Sequence, residues 1–169
     1  MRLCLVRAAR AVKVLAIDPG SEHSGVVLYD SDDERVLRTD NLPNEDVLEG
    51  LGIAALSAVV VLEWTSPRGM LGSAQLFETL FWTGRFYEAA RRVGPVHRLE
   101  RMAAKMYLVG NRNAKDPQIR AALIDRFGGN GGKATAVGTK KSPGPLYGVA
   151  THSWAALALA VTFVETNAE

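Results

Sequence analysis

The chain has 169 residues and a formal net charge of +2, and 47% of its residues are hydrophobic and 22% charged. This length is typical of one globular domain, and no apolar run approaches the roughly 20 residues needed to cross a bilayer, which argues against a membrane protein. The single cysteine, Cys4, excludes an internal disulfide framework and a cysteine-based zinc site. We therefore expect a protein of the reducing cytoplasm.

The charge is distributed unevenly along the chain. Residues 1–13 carry four basic residues and no acid, and we interpret them as a basic extension preceding one domain over residues 14–169. Residues 91–141 contain twelve basic residues against three acids. Such an excess suits a surface that neutralises nucleic-acid phosphates, although a solvated helical face would have the same composition.

The first part of the domain predicts three antiparallel strands followed by a helix. Short runs rich in branched residues at 14–18, 25–29 and 35–39 are separated by turn residues such as Pro19-Gly20. Residues 43–46, PNED, then predict a helix start, because acids in the first turn complement the helix dipole. We expect this helix to have about three turns.

The next segment predicts a buried strand and a long helix. Residues 58–63, AVVVLE, form a continuous apolar run of the kind found in parallel sheets covered on both faces, and the run ends in Glu63. Apolar residues then recur at helical spacing over residues 70–92, and residues 96–99 can form a fifth strand.

The remainder of the chain predicts mainly helices. Two helices should follow the fifth strand, the second opened by Asp116 as N-cap with Pro117 at the first helical position. Residues 128–148 are dense in Gly, Lys and Pro and predict a mobile loop. A last helix with an Ala/Leu-rich face should run over residues 149–165.

Two acids end apolar strands and are the first candidates for chemistry. Asp18 and Glu63 would be costly to bury unless each is paired or binds a metal ion. If their strands are neighbours, the two side chains form an oxygen-rich site suited to Mg²⁺. Two such ions can activate water and stabilise a leaving oxygen in phosphodiester cleavage. Either acid alone is more typical of a turn or cap.

The motifs of the chain, in order, resemble those of the RuvC-type Holliday junction resolvases. They are IDPGSEHSG at 17–25, VVLE at 60–63, Gly84, KMYLVGNRNAK at 105–115 and HSWAALALA at 152–160. The resemblance implies an α/β fold of the RNase H-like (integrase) superfamily, with a mixed five-stranded sheet of three antiparallel and two parallel strands flanked by helices. It also implies a metal-dependent endonuclease that resolves four-way or branched DNA, leaving a 5′ phosphate and a 3′ hydroxyl.

Resemblance further implies the site and the partners. Asp18, Glu63 and His152 correspond to catalytic and metal-site residues, and two Mg²⁺ ions per active site are expected. Because imidazole suits Mg²⁺ poorly, His152 can instead orient the attacking water, and Mn²⁺ can support activity. A homodimer is expected, since a four-way junction has approximate two-fold symmetry, with residues 70–92 as the contact surface.

One position departs from the family pattern. Where a second metal-site acid is expected three residues after His152, this chain has Ala155. The alanine is either an engineered substitution or a natural variation in which another residue supplies the ligand. Asp116 is the first substitute, although an N-cap role explains it better, and Asp125 is a weaker one.

The resemblance and the charge pattern together predict a DNA-binding surface. The candidate phosphate contacts are Arg68, Lys105, Arg112, Lys115, Lys133, Lys140 and Lys141. Trp64, Met70 and Phe77 are candidates for an apolar wedge between base pairs, with burial in the core or in a dimer interface as the alternative for Phe77.

The sequence argues against a nucleotide-binding protein and leaves two alternatives to the resolvase open. GGNGGK at 128–133 lacks the first glycine and the Ser or Thr of a phosphate-binding loop, and the chain is too short for an actin-like ATPase, so no nucleotide cofactor is expected. A related nuclease acting on structured RNA stays open, as does a non-catalytic branched-DNA-binding protein. The cytoplasm of a bacterium, or of a phage-infected host, is the expected location.

Overall fold

The structure is a computed structural model that describes residues 12–66 and 72–167. Its centre is a five-stranded sheet in the order β3-β2-β1-β4-β5. The strands are β1 (Lys13–Asp18), β2 (His23–Asp30), β3 (Arg35–Pro43), β4 (Val59–Glu63) and β5 (Val96–Leu99). The first three are antiparallel, and β4 and β5 run parallel to β1. This confirms the predicted mixed sheet of three antiparallel and two parallel strands.

Helices cover both faces of this sheet. They are α1 (Asn44–Ala54), α2 (Ala74–Arg91), α3 (Arg101–Val109), α4 (Asp116–Gly128), α5 (Gly132–Ala136) and α6 (Ser153–Thr166). Helices α1 and α2 contribute to the core on one face, and α3, α4 and α6 contribute to the core on the other. None of the helices in the described residues is long and apolar enough to cross a membrane.

The alternation of side chains along β1 explains why two cores form. Leu15 and Ile17 pack with α1 and α2, whereas Val14 and Ala16 pack toward α6. Successive side chains of a strand point to opposite faces, so a strand that is apolar at every position is covered on both sides. β4 lies beside β1 and is buried in the same way, which places these two strands at the centre of the protein.

Helix α6 is held close to the sheet by a glycine. A Cβ atom on Gly25 of β2 would lie 2.6 Å from the carbonyl carbon and oxygen of His152, too close for any side chain. The Ser153 hydroxyl also donates a hydrogen bond of 3.0 Å to the carbonyl oxygen of Asp40. The N-terminus of α6 is thereby fixed beside the first three strands.

The glycine-rich segment is more ordered in its secondary structure than predicted. In place of one loop over residues 128–148, it contains a short 3-10 helix (Gly129–Gly131) and α5. Leu146 is fully buried and donates a backbone hydrogen bond of 2.8 Å to Ala136. The backbone N–H of Val36 donates to Pro145 at 2.8 Å, which ties the segment to β3. The glycines provide the turns between these short elements, and the few apolar residues anchor them.

Three predicted boundaries were wrong. β3 continues to Pro43, because the residues after the predicted strand end at residue 39 extend the pairing with β2, and α6 begins at Ser153 rather than at residue 149. Lys115, not Asp116, is the N-cap of α4, and its N–H donates to the Gln118 side chain at 2.8 Å. Asp116 is therefore the first residue of the helix. The predicted start of the long helix, at residue 70, lies outside the described residues.

Candidate active site

The two predicted acids lie side by side in the sheet. β1 and β4 are parallel with Ile17 paired to Leu62, so Asp18 and Glu63 follow at the same ends of neighbouring strands. Each residue is only 8% exposed. The two carboxyl groups are close enough that each shifts the pKa of the other. The structure therefore brings together two residues separated by 44 intervening positions in the sequence.

Burial makes this pair of acids electrostatically unfavourable. Burial raises the pKa of Asp18, and the nearby Arg101 guanidinium opposes that shift. Burial and then the neighbouring Asp18 raise the pKa of Glu63 from 4.5 to about 8. Within the described residues the buried Oε2 of Glu63 has no hydrogen-bond partner. A cation at this position would compensate both the charge and the missing contact.

Arg101 is a site residue that the sequence analysis did not identify. It is the first residue of α3, and its guanidinium nitrogens lie 3.9 Å from one oxygen each of Asp18, Glu63 and Asp116. Burial lowers its pKa, but the three carboxylates outweigh that effect and raise it. The sequence did not distinguish Arg101 from the other basic residues, because residues 91–141 contain twelve of them.

A small open cavity of about 60 Å³ lies beside these groups. Four of the predicted site positions line it, together with Arg101: they are Glu63, Asp116, His152 and Ala155. His152 is exposed at the N-cap of α6, one turn before the half-buried Ala155. Asp125 lies exposed on α4 and does not line the cavity. Asp125, the weaker candidate to replace the acid missing at position 155, therefore lies away from the site.

The residues fit a divalent cation in part. Asp18 and Glu63 offer the oxygen ligands that Mg²⁺ or Mn²⁺ prefers, and Glu63 Oε2 is buried without a hydrogen bond. In residues 12–66 and 72–167, however, no three His, Cys, Asp or Glu side chains converge on one point. Ala155, which has no ligand atom, lines the cavity at the position where the resemblance predicts an acid. Asp116 is near but lies beside Arg101.

The predicted phosphate-binding residues that the structure describes lie in α3 and in the chain between α3 and α6. Lys105 is half-buried on α3, and the remaining described candidates are exposed: Arg112, Lys115, Lys133, Lys140 and Lys141. Arg112 and Lys115 lie in the connection between the helices that carry Arg101 and Asp116. Arg68 lies outside the described residues.

The three wedge candidates have different environments. Trp64 packs edge-on against Tyr87, with ring centroids 5.9 Å apart, and the Arg98 guanidinium lies 4.8 Å from its ring. Phe77 on α2 is 64% exposed, so its burial in the core of the chain is excluded. Met70 lies outside the described residues.

Comparison with solved structures identifies the architecture. The chain matches a Thermus thermophilus RuvC structure with a TM-score of 0.55 and 21% identity, over 89% of this chain and 92% of that one. The chain has the RuvC fold. A structure of T. thermophilus RuvC in complex with Holliday junction substrate matches with a TM-score of 0.58, at the same identity and coverage. No family model and no curated protein matches the sequence.

Proposed function

We propose that this chain is a structure-selective endodeoxyribonuclease that hydrolyses a phosphodiester bond in four-way or branched DNA with the help of a divalent cation. The observation that carries the proposal is the buried, interacting pair Asp18 and Glu63 at the ends of adjacent central strands, where Glu63 lines a small cavity. The RuvC fold supports it, because one matched structure is that of T. thermophilus RuvC in complex with Holliday junction substrate.

The residues of the site have distinct roles in this proposal. Asp18 and Glu63 hold the cation, for which Mg²⁺ is the first choice and Mn²⁺ the second. When bound, the cation supplies the positive charge that activates water and stabilises the leaving oxygen. His152 lies at the edge of the cavity, where its imidazole can orient the attacking water or accept its proton.

A homodimer is part of the proposal. A four-way junction needs two matched cuts, and two copies of the chain related by a two-fold axis would supply two sites. Helix α2 offers a surface for this contact, because Phe77 is 64% and Phe81 57% exposed on it. Large exposed aromatic side chains are typical of interfaces.

The test is a cleavage assay on four-way junction, flap, linear duplex and structured RNA with Mg²⁺ or Mn²⁺. The chain should cut junctions in preference to the other substrates, and Asp18→Asn should abolish cutting while still binding junctions. Asp125→Asn is the matched control, because Asp125 is exposed and outside the cavity. Preferential cutting of RNA would instead favour the RNA-processing alternative.

A non-catalytic branched-DNA-binding protein is the second candidate, and Ala155 at the cavity favours it. Ala155→Asp separates the possibilities if the unaltered chain binds junctions without cutting them. A gain of metal-dependent cutting in this variant would identify a disabled nuclease. Binding without cutting in both proteins would identify a binding protein.

A further inference from the structure

Arg101 occupies a position that suits a cation. Its guanidinium lies 3.9 Å from oxygens of three carboxylates that come from three different elements, β1, β4 and α4. Two of these carboxylates, Asp18 and Glu63, belong to residues that are only 8% exposed. A positive charge held among several carboxylates performs the electrostatic task of a metal ion, since it compensates acids that have lost their water.

The guanidinium also leaves part of the site uncompensated. The Arg101 side chain is 40% exposed and lines the cavity, so it does not seal the two strand ends. Glu63 Oε2 is 3.9 Å from Arg101 Nε and still has no hydrogen bond within the described residues. Space and an unpartnered oxygen therefore remain for one further cation.

The charges of the site indicate how many cations it can hold. With all groups ionised, Asp18, Glu63, Asp116 and Arg101 carry a formal net charge of −2. One divalent ion balances this charge, whereas two would leave an uncompensated excess in a partly buried site. The methyl group of Ala155 lines the same cavity and contributes no charge.

We infer that Arg101 takes the place of the second divalent ion, so that this chain binds one divalent ion per active site. The inference rests on the proposed nuclease function and replaces the two ions per active site that the family resemblance implies. In this arrangement Arg101 also faces the position that a phosphate oxygen would approach, because its exposed part lines the cavity. Arg101 is thus a counterion for the acids and a contact for the substrate.

The test counts bound Mn²⁺ in the full-length chain without DNA, by calorimetric titration and by electron paramagnetic resonance of free Mn²⁺. The unaltered chain should bind one ion, and Ala155→Asp should still bind one, because Arg101 remains in place. The double variant Arg101→Gln with Ala155→Asp should bind two. Arg92→Gln with Ala155→Asp is the charge-matched control and should bind one, since Arg92 is exposed at the C-terminal end of α2 and pairs with Glu88.

The outcomes separate this inference from the proposed function. Two ions in the unaltered chain, or one ion in the Arg101→Gln double variant, would overturn the role of Arg101 and leave the nuclease intact. No ion in any variant would overturn both. Thermal unfolding of each variant verifies folding, and Arg101→Lys with Ala155→Asp provides a second double variant. The lysine keeps the positive charge, so this variant should bind the second ion more weakly than the Gln variant does. Lysine lacks the planar fork with which arginine can span three carboxylates.

Discussion

Glu63 holds its proton into the weakly alkaline range because it is buried beside a second carboxylate. Burial and Asp18 raise the pKa of Glu63 to about 8, so the protonated form predominates in the metal-free protein at pH 7. A divalent ion favours the ionised form and releases that proton. Metal binding and proton release are thus linked at one side chain, and affinity for the ion should rise with pH.

The first prediction concerns the stability of the metal-free chain. Because the folded-state pKa of Glu63 is raised, its contribution to stability is present below about pH 4.5 and is lost as pH rises through about 8. Each pKa unit corresponds to about 1.4 kcal/mol. Urea unfolding in EDTA should show a lower free energy of unfolding at pH 8.5 than at pH 5, and Glu63→Gln should reduce this difference.

Glu78→Gln is the control for that experiment, because Glu78 is exposed on α2. It should keep the pH dependence of the unaltered chain. Saturating Mn²⁺ should restore stability at pH 8.5 in the unaltered chain and not in Glu63→Gln. An unchanged pH dependence in Glu63→Gln would contradict the assignment of the raised pKa to this residue.

The sequence allowed the acids of the site to be predicted but not their counterion. Asp18 and Glu63 stood out because a carboxylate at the end of an apolar strand is unusual. Arg101 did not, because its role depends on the position of α3 relative to two strands and to Asp116, and no local pattern encodes that arrangement. Asp116 was interpreted as a cap, and only the structure places it beside the guanidinium.

At the scale of elements, the contact between β2 and α6 determines the geometry of the site. Gly25 is paired with Asp18 in the sheet and touches the backbone of His152. One glycine therefore separates the strand that carries an acid from the helix that carries His152 and Ala155. Any side chain at this position must move the helix.

The second prediction follows from that contact. Gly25→Ala should lower the free energy of unfolding by about 1–3 kcal/mol, because the new methyl group overpacks the interface. It should also reduce junction cutting about a hundredfold, the effect of a displacement of roughly 1 Å in a catalytic group. Gly50→Ala is the control, since no atom lies within 4 Å of a Cβ atom there and α1 should become more stable. Equal activity in both variants would contradict the prediction.

Elements with a strong local pattern were predicted well, and those formed by tertiary contacts were not. The continuous apolar run predicts β4 from the sequence alone, and the helical spacing of apolar residues predicts α2. The end of β3 depends on pairing with β2, and the glycine-rich segment folds because Leu146 finds a buried position. Local composition indicates neither the pairing of β3 with β2 nor the burial of Leu146.

At the scale of the whole molecule, the third prediction tests the proposed homodimer. Phe81→Glu should convert a dimer into a monomer in equilibrium sedimentation at micromolar concentration, because it places a charge in the α2 contact surface. Leu37→Glu is the control, since Leu37 is exposed on β3, at the opposite edge of the sheet. A monomeric unaltered chain that does not associate on junction DNA would contradict the dimer.

The fourth prediction tests the basic surface. If the six described candidates each neutralise a phosphate, junction affinity should fall roughly a thousandfold as salt rises from about 50 to about 200 mM. Replacing Lys140 and Lys141 with Gln should reduce the slope of log affinity against log salt by about 2. The matched change of Arg35 and Arg38, exposed on β3, should leave the slope unaltered. If the junction affinity of the unaltered chain does not change with salt, the proposed phosphate contacts of the basic residues are contradicted.

The burial of α6 also has a consequence for biosynthesis. This helix packs on β1, β2 and β4, which leave the ribosome long before it does. A nascent chain that has emerged only as far as α5 presents the apolar side chains of Val14, Ala16 and Val61 without their cover. Such a chain is a client for chaperones and proteases. The proposed DNA-cutting activity should therefore arise only after α6 has been translated and has packed on the sheet.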